Sequence, residues 1–257
     1  IISHIVDSFQ DSDEFVIALG YLGYQVKEYL SIAHPEKKFQ FVNVENFEKE
    51  GSGPGLSLLC CKDYLNEPFY YMPCDCIVHT NLENLPQTNW IGTTKVSPDE
   101  SESYCNLKIK NDLVTEIRDK KRCTSDYVAF SAPLFVNDHE IFWKGLEDNE
   151  IIQNEHQISN GVTALFQKST LTAINIEWED IGDLKKYKNI SSQSENFDFS
   201  KPSEFIYFVN NTVIKFSTEP KNISQVIEKC NLHPELFPKI KSYGKNFLCY
   251  EYFNGDV

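Results

Sequence analysis

The sequence predicts an α/β fold: a mixed, mainly parallel sheet with covering helices, followed by a small α+β unit. Three observations carry that reading. Short apolar runs alternate with helix-length segments through the first third of the chain, the pattern of strands joined by crossover helices. The middle third is richer in strands and contains a hairpin signal. A serine- and charge-rich stretch then precedes a final segment that reads strand, strand, helix, strand, strand.

The elements follow in order. IISHIVDSF places apolar residues at 1, 2, 5, 6 and 9, the stripe of a helix. EFVIAL (14–19) is a short buried-type strand, and Gly20 and Gly23 turn the chain into a helix ending near Ala33. FQFVNV (39–44) is the next strand; ENFEKEGSGPG leads into a helix at 56–65, and FYYM follows as a third strand. These three strands are expected to run parallel. WIGTTKV (90–96), YCNLKIK (104–110), LVTEIRD (113–119) and DYVAFSAPLF (126–135) read as strands, with Asn111-Asp112 as a tight hairpin turn. A helix is predicted over 155–168, a strand over 171–178 and a helix over 183–190. Residues 191–203, SSQSENFDFSKPS, have linker composition, which divides the chain into 1–197 and 198–257. Beyond the linker, EFIYFV and TVIKFS form a hairpin around Asn210-Asn211, then a helix (223–232) and two strands (239–243 and 247–253) complete a small sheet. The helical start and the strand-like run at the far end lead us to expect a segment of a longer polypeptide.

Composition narrows the function. A formal charge of −14 argues against nucleic-acid binding, which needs a basic face, while leaving room for a local phosphate pocket. No apolar run reaches membrane-spanning length. The eight cysteines include no C-x-x-C pair, so they read as reduced core thiols of a cytoplasmic protein; Cys74 and Cys76, flanking Asp75, leave a soft-metal site as the alternative.

Asp75 interrupts the apolar run YYMPCDCIVH just after Pro73 ends a strand. In open α/β sheets ligands collect at such carboxyl ends, where a carboxylate can help to hold Mg²⁺ beside substrate phosphates; the other reading is a capped turn. GSGPG (51–55) directly precedes a helix, so the backbone at Gly53, Pro54 and Gly55 can approach a ligand, although the pattern also suits an ordinary turn. WEDIGD (178–183) places Asp180 after an apolar run, where it could share a metal with Asp75; Asp183 is the better N-cap of the helix that follows.

Taken together, GPGLSLLCCKDYLNEPFYYMPCD, LVTEIRDKK and WEDIGDLKKYKN resemble, in order, three motifs of the sugar-phosphate and choline-phosphate type of nucleotidyltransferase. The resemblance spans about residues 1–190. It implies a Rossmann-like sheet in which Gly53 nears the nucleotide base, Asp75 and Asp180 hold Mg²⁺, and Lys120 lies near the substrate phosphate or sugar. The family's E-K-P reads Asp119-Lys120-Lys121 here, with an acid swapped and the proline lost. Its G-x-G-x-R loop precedes the part that matches. The implied reaction is attack of a phosphate monoester, from a sugar phosphate or a phosphorylated amino alcohol, on the α-phosphorus of a nucleoside triphosphate, CTP or UTP. Such products feed surface-polysaccharide synthesis. The C-terminal part resembles the start of a choline-kinase or aminoglycoside-kinase-like small lobe: Lys215 in TVIKF matches its ATP-pairing lysine, and YEYFNGD its hinge. Two alternatives stay open: a non-catalytic nucleotide-binding scaffold, and a glycosyltransferase with a related sheet. The D-x-D of many glycosyltransferases is replaced here by Asp75-Cys76-Ile77.

Overall fold

A computed structural model describes residues 1–148, 151–182, 186, 201–209 and 211–253. Asp183, most of the predicted helix at 183–190, most of the linker, Asn210 and the end of the hinge-like YEYFNGD lie outside the described residues. Two compact units are distinguished, one comprising Ile1–Tyr21 and Phe39–Ile190, the other Leu22–Lys38 and Ser191–Val257.

In the first unit, the chain opens with α1 (Ile2–Asp7) and β1 (Glu14–Leu19). β2 (Lys38–Asn43) pairs with β1 in a separate two-stranded sheet. α3 (Pro54–Cys60) leads to β3 (Phe69–Tyr71), and a turn carrying Asp75 separates β3 from β4 (Cys76–Val78). β5 (Trp90–Thr94), β6 (Cys105–Lys110), β7 (Leu113–Asp119) and β8 (Val128–Val136) follow. Then come α4 (His139–Glu147), the short strands β9 (Ile151–Ile152) and β10 (Glu155–His156), α5 (Ser159–Lys168), β11 (Thr172–Asn175) and β12 (Trp178–Asp180).

The main sheet has six strands in the order β3-β8-β5-β11-β7-β6. Only β5 and β11 run parallel; every other pair in it is antiparallel. The expectation of a mainly parallel sheet is therefore corrected, and the third strand is not one of a parallel set. The cause is local. Asn111 and Asp112 take φ of 51° and 60°, the left-handed pair that folds β6 back on β7. The nine-residue β8 runs antiparallel to three neighbours. Its register with β5 shifts between Ile91 and Thr93. Gly92 lies at that bulge, where a Cβ would stand 2.8 Å from the Pro133 carbonyl oxygen.

Two further expectations change. Residues 155–156 are strand, so the predicted helix begins only at Ser159. Gln153 and Asn154, with φ of 51° and 66°, close the β9–β10 hairpin instead. The predicted strand at 171–178 divides. β11 stays beside β5, whereas β12 leaves the main sheet and pairs antiparallel with β4. The Ile176 amide donates to the Thr93 carbonyl and the Glu177 amide to Thr80 Oγ1, fixing the crossing.

Strand alternation builds the core on both faces of the sheet. Phe69, Ile91, Leu134 and Val136 point to one side, where they meet Phe142 and Leu146 of α4 and Val162 and Leu165 of α5. Tyr70, Trp90 and Phe135 point to the other, with Leu82 and Ile176. Each fully buried large side chain contributes about 1.5–3 kcal/mol.

The second unit holds α2 (Gly23–Ala33) and a four-stranded antiparallel sheet, β13 (Glu204–Val209), β14 (Thr212–Ser217), β16 (Phe247–Glu251) and β15 (Ile240–Tyr243), in that spatial order. A helix, α6 (Pro220–Leu232), joins β14 to β15. Ala33, Val209, Ile214, Phe216, Phe247 and Cys249 form its core, with Tyr29 and Ile32 of α2 against them. Among the described residues, no helix is long and apolar enough to cross a membrane. All eight cysteines are free thiols; Cys60 and Cys74 are exposed rather than in the core.

Candidate active site

The β4–β12 ladder sets the site. Asp180 stands opposite Cys76, and the Ile181 amide donates to the Asp75 carbonyl at 2.9 Å, so the two aspartates emerge at the same end of the ladder. Their carboxylates converge: a Cβ built on Gly182 would lie 3.3 Å from both Asp180 Oδ1 and Asp75 Oδ2. Asp75 thus faces an open pocket from a turn, which resolves its place in an apolar run without a buried, unpaired charge.

Asp180 is the more constrained of the two. It accepts from the Gly182 amide at 2.9 Å, the Tyr104 hydroxyl at 3.0 Å and Lys186 Nζ at 2.6 Å. Burial alone would push its carboxyl up, but these donors, Lys186 foremost, hold it below the ordinary range. The same contact, after burial, pushes the Tyr104 phenol up to about 12, so Tyr104 stays a neutral donor. Among the described residues, no three His, Cys, Asp or Glu side chains are grouped to hold a metal ion. The Asp75–Asp180 pair fits Mg²⁺, which takes one or two carboxylates and completes its shell with phosphate oxygens and water. Lys186 already shows that Asp180 attracts a cation. Cys76 is buried with its sulfur 3.6 Å from the Pro73 carbonyl oxygen, and burial, then the charge of Asp75, pushes its thiol up to about 12, whereas Cys74 is exposed.

The acid–lysine pair closes β7. Asp119 stands opposite Cys105, and Ser159 Oγ donates a short hydrogen bond to it. Lys120 turns sharply, with φ of 50°; its amide donates to the Tyr104 carbonyl at 3.0 Å and its ammonium to the Ser103 carbonyl at 2.6 Å.

A cavity of about 190 Å³ brings Pro54, Asp75, Lys120 and Asp180 together. Gly53 and Gly55 are adjacent but pack elsewhere. A Cβ on either would stand 2.7 Å from the His156 carbonyl oxygen, so both permit close approach of α3 to the segment after β10. Lys215 lies in the other unit, on β14, where it pairs with Glu204 of β13 at 3.2 Å. Sequence reasoning missed Tyr104, Phe130 and Trp178, which also line the cavity, and Lys186. Of these, Trp178 carried a local signal, standing two residues before Asp180 on the same short strand.

The fold is that of the sugar-phosphate nucleotidyltransferases. A UDP-glucose pyrophosphorylase solved with UDP-glucose superposes with a TM-score of 0.61 at 14% identity, covering 74% of this chain and 84% of its own. The inositol-1-phosphate CTP transferase of T. maritima gives 0.55 at 12% identity, over 76% and 83%. A UTP-bound UGPase from Acinetobacter baumannii gives 0.53 at 12% identity, over 74% and 78%. No family model matches the sequence, and no curated protein matches it.

Proposed function

We propose that this chain transfers a nucleotidyl group from a nucleoside triphosphate, CTP or UTP, to a sugar phosphate or a phosphorylated amino alcohol. The observation that carries this reading is the convergence of Asp75 and Asp180 on Gly182, at the mouth of a pocket that also contains Lys120. The fold shared with solved structures that hold UDP-glucose or UTP supports it. A phosphate oxygen of the acceptor forms a bond to the α-phosphorus, and the bond from that phosphorus to the pyrophosphate oxygen breaks. Such in-line displacement needs positioning and charge neutralisation rather than a protein nucleophile.

Asp75 and Asp180 would hold Mg²⁺, which supplies neutralisation of phosphate charge. Tyr104 and the Gly182 amide fix the Asp180 carboxylate in place, and Lys120 stands ready to exchange its Ser103 carbonyl for an acceptor phosphate oxygen. Pro54, at the start of α3, would contribute to the nucleotide side of the cavity, with Gly53 and Gly55 allowing that loop its close packing. We keep two finer readings as part of the proposal: a cytoplasmic role supplying surface-polysaccharide precursors, and a kinase-like small lobe in which Lys215 meets ATP. The small antiparallel sheet with its Lys215–Glu204 pair supports the latter.

Pyrophosphate release is the test. Each triphosphate is incubated with Mg²⁺ and a panel of phosphomonoesters. The reading expects release with one pyrimidine triphosphate and its loss in Asp75→Asn and Asp180→Asn. Release from neither triphosphate, or release untouched by both substitutions, refutes it.

A further inference from the structure

The two carboxylate oxygens of Asp180 are not equivalent. Oδ2 accepts from the Tyr104 hydroxyl at 3.0 Å and from Lys186 Nζ at 2.6 Å. Among the described residues, Oδ1 has one donor, the Gly182 amide at 2.9 Å. A carboxylate oxygen offers two lone-pair positions, so two donors fill Oδ2 while one leaves a place on Oδ1. Oδ1 is also the oxygen that converges with Asp75: it and Asp75 Oδ2 each stand 3.3 Å from where a Gly182 Cβ would lie. The oxygen with room is the one aimed at the shared point.

This asymmetry bears on which cation the pair can hold. Mg²⁺ is small and octahedral, and one oxygen from each carboxylate suits it. Ca²⁺ takes about six to eight oxygens and readily grips a carboxylate through both of its own. A two-oxygen grip on Asp180 needs an open place on Oδ2, and Tyr104 and Lys186 together leave none. Tyr104 is itself anchored, its ring against Trp178 and its carbonyl accepting the Lys120 amide. The Lys186 side chain is nearly half exposed, so it can be replaced without disturbing the core. Asp75 sits in an exposed turn, and the restriction therefore falls on Asp180.

We infer that Lys186 is a positioning residue which, with the Tyr104 hydroxyl, restricts Asp180 to one-oxygen coordination and so favours Mg²⁺ over Ca²⁺ at the aspartate pair. This rests on the nucleotidyl-transfer reading for the presence of a metal there, and adds which ion the pair prefers. The Lys186 charge has a second effect that must be kept apart. An ammonium beside the pair opposes every divalent cation alike, so absolute affinities mix the two effects. The ratio of Mg²⁺ to Ca²⁺ affinity isolates the restriction.

Ion competition on the whole chain tests it. Mn²⁺ bound with a non-reacting triphosphate analogue is followed by electron paramagnetic resonance and displaced by Mg²⁺ and by Ca²⁺ in turn, the analogue without protein giving the baseline. Lys186→Met should cut the preference for Mg²⁺ about tenfold, by strengthening Ca²⁺ more than Mg²⁺. Tyr104→Phe, which changes no charge and keeps the ring, should cut it in the same direction. Lys186→Arg, which keeps a charged donor, should retain the parent's preference. A preference unchanged in Lys186→Met and Tyr104→Phe, or a Lys186→Met that strengthens both ions equally, overturns the inference; if Asp75→Asn still abolishes Mn²⁺ binding, the metal pair stands. Mn²⁺ binding indifferent to both Asp75→Asn and Asp180→Asn overturns the inference and the metal pair together. A preference lost in the two variants, with no pyrophosphate release from any triphosphate, supports the restriction and overturns the transfer.

Discussion

Gly182→Ala is the sharpest probe of the aspartate pair, because it changes neither carboxylate. The new methyl carbon would lie 3.3 Å from one oxygen of each aspartate, closer than the optimum for non-bonded contact. Each carboxylate must then retreat by a few tenths of an ångström. Asp180 resists, being held by Tyr104, Lys186 and the Gly182 amide, so Asp75, in its exposed turn, moves more. Mg²⁺ demands ligand oxygens at about 2.0–2.1 Å in near-ideal octahedral geometry and tolerates such a shift poorly. Losing one charge-assisted ligand costs about 1.5–3 kcal/mol, or roughly 10- to 100-fold in affinity. The fold should scarcely notice, since Gly182 is exposed and needs no left-handed backbone; a stability change within about 0.5 kcal/mol is expected. Mn²⁺ titration followed by electron paramagnetic resonance, with a non-reacting triphosphate present, reads the affinity. Denaturant unfolding reads the stability. If Gly182→Ala binds Mn²⁺ like the parent while Asp75→Asn does not, the two carboxylates do not share an ion at this point, and the geometric argument fails.

Two other predictions concern pH and packing. Folding lowers the Asp180 carboxyl because its donors outweigh its burial, so its stabilising contribution is complete above the ordinary carboxylate range and is lost as pH falls through the lowered folded value. Denaturant unfolding over roughly pH 6 to pH 3 should therefore show a smaller loss of stability in Asp180→Asn than in the parent, and an identical slope would contradict the assignment. In the core, a Cβ on Gly145 of α4 would stand 2.2 Å from the Ala164 Cβ and 2.9 Å from the Asn160 carbonyl oxygen. Overpacking of about 1–3 kcal/mol should outweigh the ~1 kcal/mol that alanine gains over glycine in a helix. Adding Ala164→Gly should recover part of the loss, a non-additivity that a double-mutant cycle measures directly.

What the sequence made legible was local. The Asn111-Asp112 hairpin and the strands at 14–19 and 113–119 could be read because a turn's φ values and a strand's alternation are written in adjacent residues. Asp75 and Asp180 stood out for the same reason, each a carboxylate ending an apolar run. Strand direction was less visible: β8 reads the same whether it runs parallel or antiparallel to β5, and only the pairing in space decides. The grouping of Leu22–Lys38 with the C-terminal unit is equally invisible to linker composition, because it depends on Tyr29, Ile32 and Ala33 finding Phe247 and Ile214 far along the chain.

The site shows the same division at higher stakes. Asp180 and Trp178 are two residues apart on a strand, so the pleat that aims both at the cavity is a local property. That Tyr104 meets both of them is not, since it enters from the start of β6, tied through its carbonyl to the Lys120 amide at the end of β7. One tyrosine thereby joins two strands at the pocket, its hydroxyl on the carboxylate proposed to hold the metal and its ring against Trp178. A slip of one residue in the β6–β7 register would move Asp119 away from Cys105 and Tyr104 while leaving every motif in the sequence intact. The shape of the pocket is therefore set by strand register, which motif content alone does not carry.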